Sequence, residues 1–599
     1  MKNHTKMMRV FSAGLSAALA AGMLGGCAGS AASGSSAANT GETGNSAYAE
    51  PLAIDVFDNQ ANFQGTQAGW FAKVVKDKFN IELNIIAPNV AGGGDTLFQT
   101  RSANGNVGDI IIMQADQNYL KDMVTAGLVL DMTPYMDKAD NLKRYDKAIQ
   151  NVSALAGQDG VWAVPSEVSL LSATDPCEVS DPTTAPSLRW DVYEQIGSPD
   201  IATLEDLLPV LQKMQAADPT STSGKQTYGL SLFKDWDGDF MQNASGIFGM
   251  YGYGSSGFAL GKEDGSEIQS VLDDNGIYVR ALKFFFEANQ MGLLDPESST
   301  QNFDTLSAKY TDGAVLYSLW PWLGAGKFNT SENTAAGKGF ATAVVDDMKA
   351  YSYGNQPYGK PSVSIMVGSK TKDPQRMVDF INWLYSPEGI EMSCAQSGSY
   401  CGPEGLTWEM KDGQPVLTDF GVKAFVDSDE TLQVPTEWGT GTWKDGISAL
   451  NFKAVGIVDC DPDTGMCYNY QKWADYQTRT ETPLKEKWAS HFGGADSAIN
   501  YLQKNDLLMV KPGVDYTVPE YTTDIQSVKD QCKQAIVEYS WKMVFAADEA
   551  EFNSLLKELQ TTANGLGYEQ VYAIDKQNYQ DQFAAYTKAG AAASTAETA

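Results

Sequence analysis

Tryptophan side chains close to carboxylates are the first residues in this sequence with the chemistry to bind a ligand. Trp320 and Trp322 flank a proline, and Trp236 lies between Asp235 and Asp237. An indole ring can stack on the apolar C–H face of a pyranose, while carboxylates and amides hydrogen-bond sugar hydroxyl groups. The alternative for Trp320 and Trp322 is a place in the hydrophobic core, and for Trp236 a surface turn. The pattern therefore predicts part of a carbohydrate site, with simple packing as the competing interpretation.

Polar residues that follow predicted strands form a second group of candidates. They are Asp58, Asn59, Asp116, Gln117 and Glu167. Because ligands of open α/β sheets gather at the carboxyl ends of the strands, we expect these side chains at a cleft. A later loop rich in glycine and threonine carries Glu437, Trp438 and Trp443, which we expect to cap the ligand.

The charge and histidine content argue against several classes of function. The 599 residues carry 75 acidic and 43 basic side chains, for a net charge of −32, which disfavours a nucleic-acid partner. Histidine occurs only at His4 and His491, which weakens any zinc site or Ser-His-Asp triad. A glycosidase needs only two carboxylates and stays as an alternative, although no motif for such a pair is recognisable. We therefore predict no enzyme, no cofactor and no metal.

One acidic loop resembles the start of a calcium site. Asp459, Asp461 and Asp463 alternate before Gly465, but the twelfth position is Tyr470, where a calcium loop carries glutamate. The favoured interpretation is an acidic turn closed by a disulfide.

Seven cysteines include one at an N-terminal position suited to an anchor, Cys27, and six others. An even remainder permits full pairing outside the cytoplasm. The local pairs are Cys394 with Cys401 and Cys460 with Cys467, which leaves Cys177 with Cys532. Free buried thiols are the alternative, since the sequence does not fix connectivity.

The N-terminus has the plan of a secretory leader. Positive charges at residues 2, 6 and 9 precede an apolar stretch, residues 10–24, and Leu24-Gly25-Gly26-Cys27 resembles the lipobox of bacterial lipoproteins. This resemblance implies a lipidated Cys27, with an ordinary cleaved leader as the alternative. Residues 28–50 are small and polar and predict a flexible linker. No later stretch is apolar and long enough to span a bilayer.

The elements that must position the candidates follow an α/β pattern. Leu52, Ile54 and Val56 alternate as a strand, residues 70–79 repeat as a helix face, and residues 81–85 alternate again. The apolar run 109–113 predicts a strand buried on both faces of a parallel sheet. Further strands are predicted at 161–165, 228–233 and 314–319, and closing helices at 528–545 and 551–559.

Four stretches together resemble the extracellular solute-binding proteins of bacterial ABC importers, in the branch that includes maltose-binding protein. They are the strand from Gly108, the Gly-turn, strand and Pro-Trp pattern of 306–326, the helix and Ser-Pro-Glu-Gly turn of 373–390, and the closing segment 558–583, which is similar to the tail of the long oligosaccharide-lipoprotein branch. The loop 218–224 departs from the calcium loop of long members because it has a single carboxylate.

The resemblance implies a type II periplasmic-binding-protein-like α/β fold with two discontinuous lobes and a cleft between them. We expect residues 51–165 plus about 340–425 in lobe 1, and 166–339 plus about 426–585 in lobe 2, followed by a disordered tail at 586–599. Trp322 matches the tryptophan that stacks on sugar in the maltose-type members.

The implied function is capture of an oligosaccharide by lobe closure and its delivery to the transmembrane subunits of an ABC permease. We expect a monomer anchored by lipid at the extracellular face of the cytoplasmic membrane. The alternatives are a secreted glycoside hydrolase and a peptide-binding protein of the same fold.

Overall fold

The computed structural model describes residues 48–91, 94–395, 399–514, 516 and 518–596. The predicted leader, its Cys27 and nearly all of the predicted linker lie outside the described residues. Among the described residues, no helix has the length and apolar character needed to cross a membrane.

The strands are short and numbered in chain order. They are β1 Leu52–Asp58, β2 Gly65–Thr66, β3 Ile81–Ile86, β4 Ile110–Met113, β5 Val164–Ser166, β6 Ser187–Arg189, β7 Tyr253–Ser256, β8 Ala259–Lys262, β9 Ile268–Ser270, β10 Tyr317–Ser318, β11 Phe340–Thr342, β12 Ala350–Tyr353, β13 Lys360–Val367, β14 Trp408–Lys411, β15 Gln414–Leu417 and β16 Leu508–Lys511.

The α-helices surround these strands and include three long helices at the end of the chain. They are α1 Gly69–Phe79, α2 Pro88–Ala91, α3 Gly94–Ala103, α4 Tyr119–Thr125, α5 Asp140–Lys143, α6 Asp146–Ser153, α7 Trp190–Gln195, α8 Leu207–Ala217, α9 Ser245–Met250, α10 Ile277–Gln290, α11 Phe303–Thr311, α12 Pro321–Phe328, α13 Ser331–Ala335, α14 Pro374–Leu384, α15 Pro387–Ser393, α16 Asp419–Gly421, α17 Ala474–Arg479, α18 Pro483–His491, α19 Ala498–Lys504, α20 Thr523–Val544, α21 Glu549–Leu566 and α22 Tyr568–Ala596.

A six-stranded sheet in the order β2-β3-β1-β4-β13-β5 organises the first lobe. β1 lies between β3 and β4 and is parallel to both, which confirms the predicted parallel arrangement. β13 runs antiparallel to β4 and to β5. Both faces are covered, since neighbouring residues such as Val56 and Phe57 pack in different clusters. An apolar run without alternation is the sequence pattern of such a doubly covered strand.

The second lobe has a larger core built mainly from helices. Its centre includes Tyr278 and Phe285 of α10, together with Ile536 of α20 and Val571 of α22. The strand predicted at 228–233 is absent as a regular strand: Tyr228 and Leu230 each make an isolated bridge, to Val315 and Leu294 respectively. Small separate sheets, including β10-β6-β11, replace a continuous one here.

The lobes are connected by segments that run side by side. Ser169 N donates to Gln356 O at 3.2 Å, and Cys177 N donates to Tyr353 O at 2.8 Å. A third stretch joins them, because Gly513 N donates to Ala173 O at 3.0 Å. These backbone bonds hold the three connecting segments together.

Two segments join cores that are built mainly from distant parts of the chain. Residues 434–468 contribute Val434, Leu450 and Phe452 to a first-lobe core. Phe340 of β11 packs in the second-lobe core because β11 pairs with β6. At the C-terminus, α22 continues to Ala596. The alanine-rich end has high helix propensity, which favours this continuation.

Candidate functional site

The first group of predicted site residues lies where β1 ends. Asp58 is fully buried, and its Oδ1 accepts hydrogen bonds from Gln60 N at 2.8 Å and Ala61 N at 3.1 Å. Its Oδ2 is buried with no hydrogen-bond partner among the described residues, and burial raises the pKa of this carboxyl well above its usual range. Asn59 is half-buried and joins β1 to β4 by donating its N–H to Ile112 O at 3.0 Å. Asp58 therefore shapes the turn at this edge, and its closed surroundings do not expose it to a ligand.

The second group lies beside it, at the carboxyl ends of β4 and β5. Asp116 is half-buried, and burial raises the pKa of its carboxyl. Gln117 is exposed with φ of 49°, and Glu167 has φ of 50°, both in the left-handed region that non-glycine residues rarely adopt. Such strain often marks functional positions.

An ion pair at the same edge adds a residue that the sequence did not indicate. Glu167 accepts from Lys360 Nζ at 3.3 Å, and each side chain is about one third exposed, at 34% and 35%. Lys360 begins β13 opposite Ser166 of β5, so its position depends on long-range strand pairing. A lysine at a strand start carries no sequence signal of a site, because most such lysines are only solvated.

The predicted tryptophans Trp236, Trp320 and Trp322 lie together in the second lobe. The ring centroids of Trp236 and Trp322 are 6.0 Å apart with an interplanar angle of 24°, and the same values separate Trp320 from Trp322. Trp322 is 44% exposed and Trp236 is 42% exposed, while Trp320 is 7% exposed. Two indole faces are thus supported from behind by a third that belongs mostly to the core.

Phe303 completes this aromatic cluster, which we define as Trp236, Phe303, Trp320 and Trp322. Its ring stacks on Trp236 at 4.7 Å and lies 6.5 Å from Trp322. Phe303 begins α11, and its N–H donates to Asp235 Oδ2 at 2.9 Å. Sequence reasoning missed Phe303, because only folding brings α11 beside the loop that carries Trp236.

The start of α12 determines the positions of Trp320 and Trp322. Trp320 is the N-cap residue of α12 and Pro321 its first residue, a position where proline is well tolerated. Ser318 Oγ donates to Trp320 O at 2.7 Å and accepts from Gly324 N at 3.1 Å. These bonds hold the first turn of the helix, and with it Trp322, in one orientation.

Asp237 does not serve the cluster as a free carboxylate. Its Oδ2 accepts from Trp541 Nε1 of α20 at 2.7 Å, and its Oδ1 accepts from Gln242 N at 2.9 Å. Burial raises the pKa of Asp237. The side chain ties the loop after Trp236 to the C-terminal helices, so its role here is structural.

The three residues predicted to cap the ligand, Glu437, Trp438 and Trp443, lie partly in the core and partly at the surface. Trp443 is 5% exposed and stacks on Trp70 of α1 with centroids 4.9 Å apart, and its carbonyl accepts from Trp70 Nε1 at 3.0 Å. Trp443 therefore packs in the first-lobe core. Glu437 is exposed, and the half-buried Trp438 lines a first-lobe pocket that shares no residue with the aromatic cluster.

The acidic loop at 459–465 is closed by a disulfide between Cys460 and Cys467, as predicted. Asp461 accepts from Asp463 N at 3.0 Å and from Thr464 Oγ1 at 2.6 Å, so it stabilises its own turn. Asp459 Oδ1 accepts from Ser169 Oγ at 2.9 Å in a segment between the lobes. In the described part of the chain, no group of three or more potential metal ligands is present.

The other predicted disulfides are wrong: Cys177, Cys394, Cys401 and Cys532 are free thiols. Cys394 and Cys401 are both buried, but Cys394 Sγ accepts from Ala454 N at 3.4 Å, and Cys401 N donates to Tyr468 O. Cys532 packs in α20 near Ala563 of α21. Each of these thiols is therefore surrounded by different residues. Nearness in sequence did not make Cys394 and Cys401 a disulfide, and Cys177 and Cys532 do not pair merely because they remained.

Comparisons with known proteins agree with this architecture. The alginate-binding protein AlgQ2, crystallised without calcium ion, has a TM-score of 0.53 at 15% identity, over 89% of this chain and 99% of that protein. FusA of S. pneumoniae in complex with kestose gives 0.52 at 13%, over 88% and 99%. An extracellular solute-binding protein from Bifidobacterium longum subsp. infantis gives 0.50 at 12%, over 89% and 98%. At these identities the similarities establish the two-lobed fold alone.

Sequence comparison establishes the family. No curated protein sequence matches the chain at a significant level. The sequence profile of the bacterial extracellular solute-binding proteins matches residues 64–391, which is more than half of the chain and includes Asp116, Gln117, Glu167, Lys360 and the aromatic cluster. The chain therefore belongs to the family of bacterial extracellular solute-binding proteins.

Proposed function

We propose that this protein captures an oligosaccharide outside the cell and delivers it to an ABC permease. One observation carries the proposal: Trp236 and Trp322 present two neighbouring indole rings, each more than 40% exposed. Exposed tryptophan faces are costly to leave in water and are well suited to stack on successive sugar rings. Two proteins with this fold, an alginate-binding protein and FusA in complex with kestose, are consistent with a carbohydrate ligand.

The two lobes supply different interactions in this proposal. The aromatic cluster of the second lobe stacks on the sugar, while the sheet edge of the first lobe offers Asp116, Gln117 and the pair Glu167–Lys360 for hydrogen bonds. A ligand that contacts both groups favours a closed arrangement of the lobes over an open one. The mechanism requires no covalent chemistry, so the function is binding and transport.

We propose lobe boundaries that follow the observed cores. The first lobe comprises residues 51–168 and about 358–475, and the second comprises about 187–349, 484–507 and 518–596. Segments 169–177, 350–357 and 508–514 form the hinge, since they exchange backbone hydrogen bonds.

Cys27 gives the proposed location. Its lipobox context supports lipid attachment, and the linker at 28–50 would then connect the lobes to the outer face of the membrane. A single acyl chain binds membranes only marginally, which favours a multiply acylated cysteine. We propose that the protein acts as a monomer beside its permease.

A thermal-shift screen tests the proposal. Plant and host oligosaccharides are compared with peptides on the same protein, because a ligand that binds only the native state raises the melting temperature. We expect a concentration-dependent shift with at least one oligosaccharide and none with peptides. The reverse pattern would identify a peptide-binding protein. Release of reducing sugar at catalytic protein concentrations would identify a glycoside hydrolase.

A further inference from the structure

The first lobe contains a separate pocket of about 1000 Å³. Its walls come from α15, the hairpin β14–β15, the disulfide loop 460–467 and the beginning of α17, all within residues 387–475. None of these residues belongs to the aromatic cluster or to the polar sheet edge. A cavity of this volume is sufficient for a small organic ligand.

Carboxylates dominate the charges that line the pocket. They are Glu388, Glu391, Glu404, Asp461 and Asp475, against the single cation Lys472. Three of them have partners within the protein. Glu388 pairs with Lys78 at 2.8 Å, Asp475 pairs with Arg479 at 2.8 Å, and Asp461 accepts the hydrogen bonds of its own turn. The remaining two, Glu391 and Glu404, set the charge that a ligand meets.

Glu391 is the residue that points to a ligand. Its side chain lies on α15, is 7% exposed and lines the pocket, yet no described residue gives it a hydrogen bond or an ion pair. Burial, together with the nearby carboxylates of Glu404, Glu388 and Asp461, raises the pKa of Glu391 to about 8. Glu391 is therefore largely protonated at neutral pH, and a cationic partner in the pocket would favour its ionised form.

Lys472 is not such a partner. Its Nζ donates to Val458 O at 3.5 Å and makes no ion pair with Glu391, and burial lowers the pKa of its ammonium group. The hairpin strand β15 contributes only uncharged residues, Gln414–Leu417, and Glu409 on β14 is exposed outside the pocket. The field inside the pocket is therefore negative from α15, from Glu404 and from the disulfide loop.

The apolar part of the wall favours an organic cation over a metal ion. Trp408, Trp438 and Trp473 line the pocket together with Met410 and Met466. Indole faces attract ammonium groups through the ring quadrupole, and methionine side chains adapt to alkyl chains. The described residues contain no group of three potential metal ligands. A neutral ligand would gain no ion pair with Glu391, and an anion would be repelled by the surrounding carboxylates.

We propose that this pocket binds an organic cation through a primary ammonium group that pairs with Glu391, while the alkyl part packs against the tryptophan and methionine side chains. The ammonium can belong to a free amine or to a lysine side chain of a peptide. The site is independent of the proposed oligosaccharide site.

Titration calorimetry with 1,5-diaminopentane tests the proposal, with 1,5-pentanediol as the uncharged control of the same length. We expect the diamine to bind and the diol not to bind. Because Glu391 must ionise to form the pair, affinity should increase about tenfold between pH 7 and pH 9, where the diamine is still largely protonated. Comparison with Nα-acetyl-lysine methylamide distinguishes the two sources: tighter binding of this compound assigns a peptide lysine, and weaker binding assigns a free amine.

Variants of the pocket residues Glu391 and Trp438, each compared with a control, decide the role of the pocket. Glu391→Gln should remove the pH dependence and weaken diamine binding at pH 9 at least tenfold, while the matched exposed variant Glu409→Gln should bind like wild type. If Glu391→Gln folds poorly, Trp438→Ala at a half-buried position serves as the second test, and it should also weaken diamine binding. Equal binding of the diol, absence of diamine binding, unchanged affinity in Glu391→Gln, or displacement of the diamine by an oligosaccharide would overturn the proposal. Trp322→Ala should bind the diamine as tightly as wild type. A failure of the oligosaccharide proposal can then be distinguished from a failure of this one.

Discussion

Replacing Trp322 by alanine is the sharpest test of the oligosaccharide site. A tryptophan side chain offers about 250 Å² of surface, so its 44% exposed fraction corresponds to about 110 Å² available to a ligand. At about 25 cal/mol per Å², complete burial of that face contributes up to about 2.7 kcal/mol, or up to about 100-fold in Kd. We therefore expect Trp322→Ala to weaken binding of the best oligosaccharide from the thermal-shift screen by one to two orders of magnitude.

The assay is titration calorimetry with that oligosaccharide, far below the melting temperature. Trp322 also packs against Trp236 and Trp320, so the alanine variant loses some stability, which calorimetric melting measures separately. Trp322→Phe keeps a flat ring and should retain most of the affinity. Trp162→Ala removes a half-buried tryptophan of the first lobe outside the cluster and should leave affinity unchanged.

One outcome would refute the reasoning directly. If Trp322→Ala lowered the melting temperature strongly but bound the sugar as tightly as wild type, the exposed indole face would have no part in recognition. Trp322 would then be a packing residue only, and the site would have to be sought elsewhere on the molecule.

Three further predictions follow from other contacts. The pKa of Glu391 is about 8 in the folded protein, above its unfolded value, so its contribution to stability is present at low pH and is lost as pH rises toward 8. In urea unfolding, Glu391→Gln should therefore be more stable than wild type at pH 9 but not at pH 4. An equal difference in stability at both pH values would contradict the burial of a titrating carboxyl. Alkylation of the unfolded, unreduced body, residues 48–599, followed by mass spectrometry should label only four of its cysteines, and labelling of Cys460 or Cys467 would contradict the disulfide; the four are Cys177, Cys394, Cys401 and Cys532. Cys27→Ala should release the protein into the medium in cell fractionation, and its retention on the membrane would exclude the lipid anchor.

Short-range patterns predicted the sheet well. The alternation in β1 and β3 and the continuous apolar run in β4 identified three parallel strands, because side-chain periodicity follows directly from strand geometry. The same signal failed at residues 228–233, where Tyr228 and Leu230 make only isolated bridges. Apolar character there reflects burial in a mostly helical core, which a short run cannot distinguish from a strand.

Long-range packing accounts for the other differences. Trp443 looked like a loop residue, and its burial depends on Trp70, which is far away in sequence. Cys394 and Cys401 are close in sequence, yet each is buried among different neighbours. The aromatic cluster is intermediate: the sequence indicated Trp320, Trp322 and Trp236 from their polar and proline neighbours, but the addition of Phe303 required the fold.

The division of the candidate site between the lobes has a consequence for how closure would be driven. The aromatic cluster lies entirely in the second lobe, and the Glu167–Lys360 pair lies entirely in the first. A ligand that contacts only one group gains nothing from closure and cannot shift the equilibrium, however tightly it stacks. A sugar long enough to reach both groups would gain its additional contacts only in the closed state. Under the proposed function, the placement of the two groups thus selects oligosaccharides over monosaccharides. Only a ligand that bridges the two groups binds the closed state more tightly than the open state.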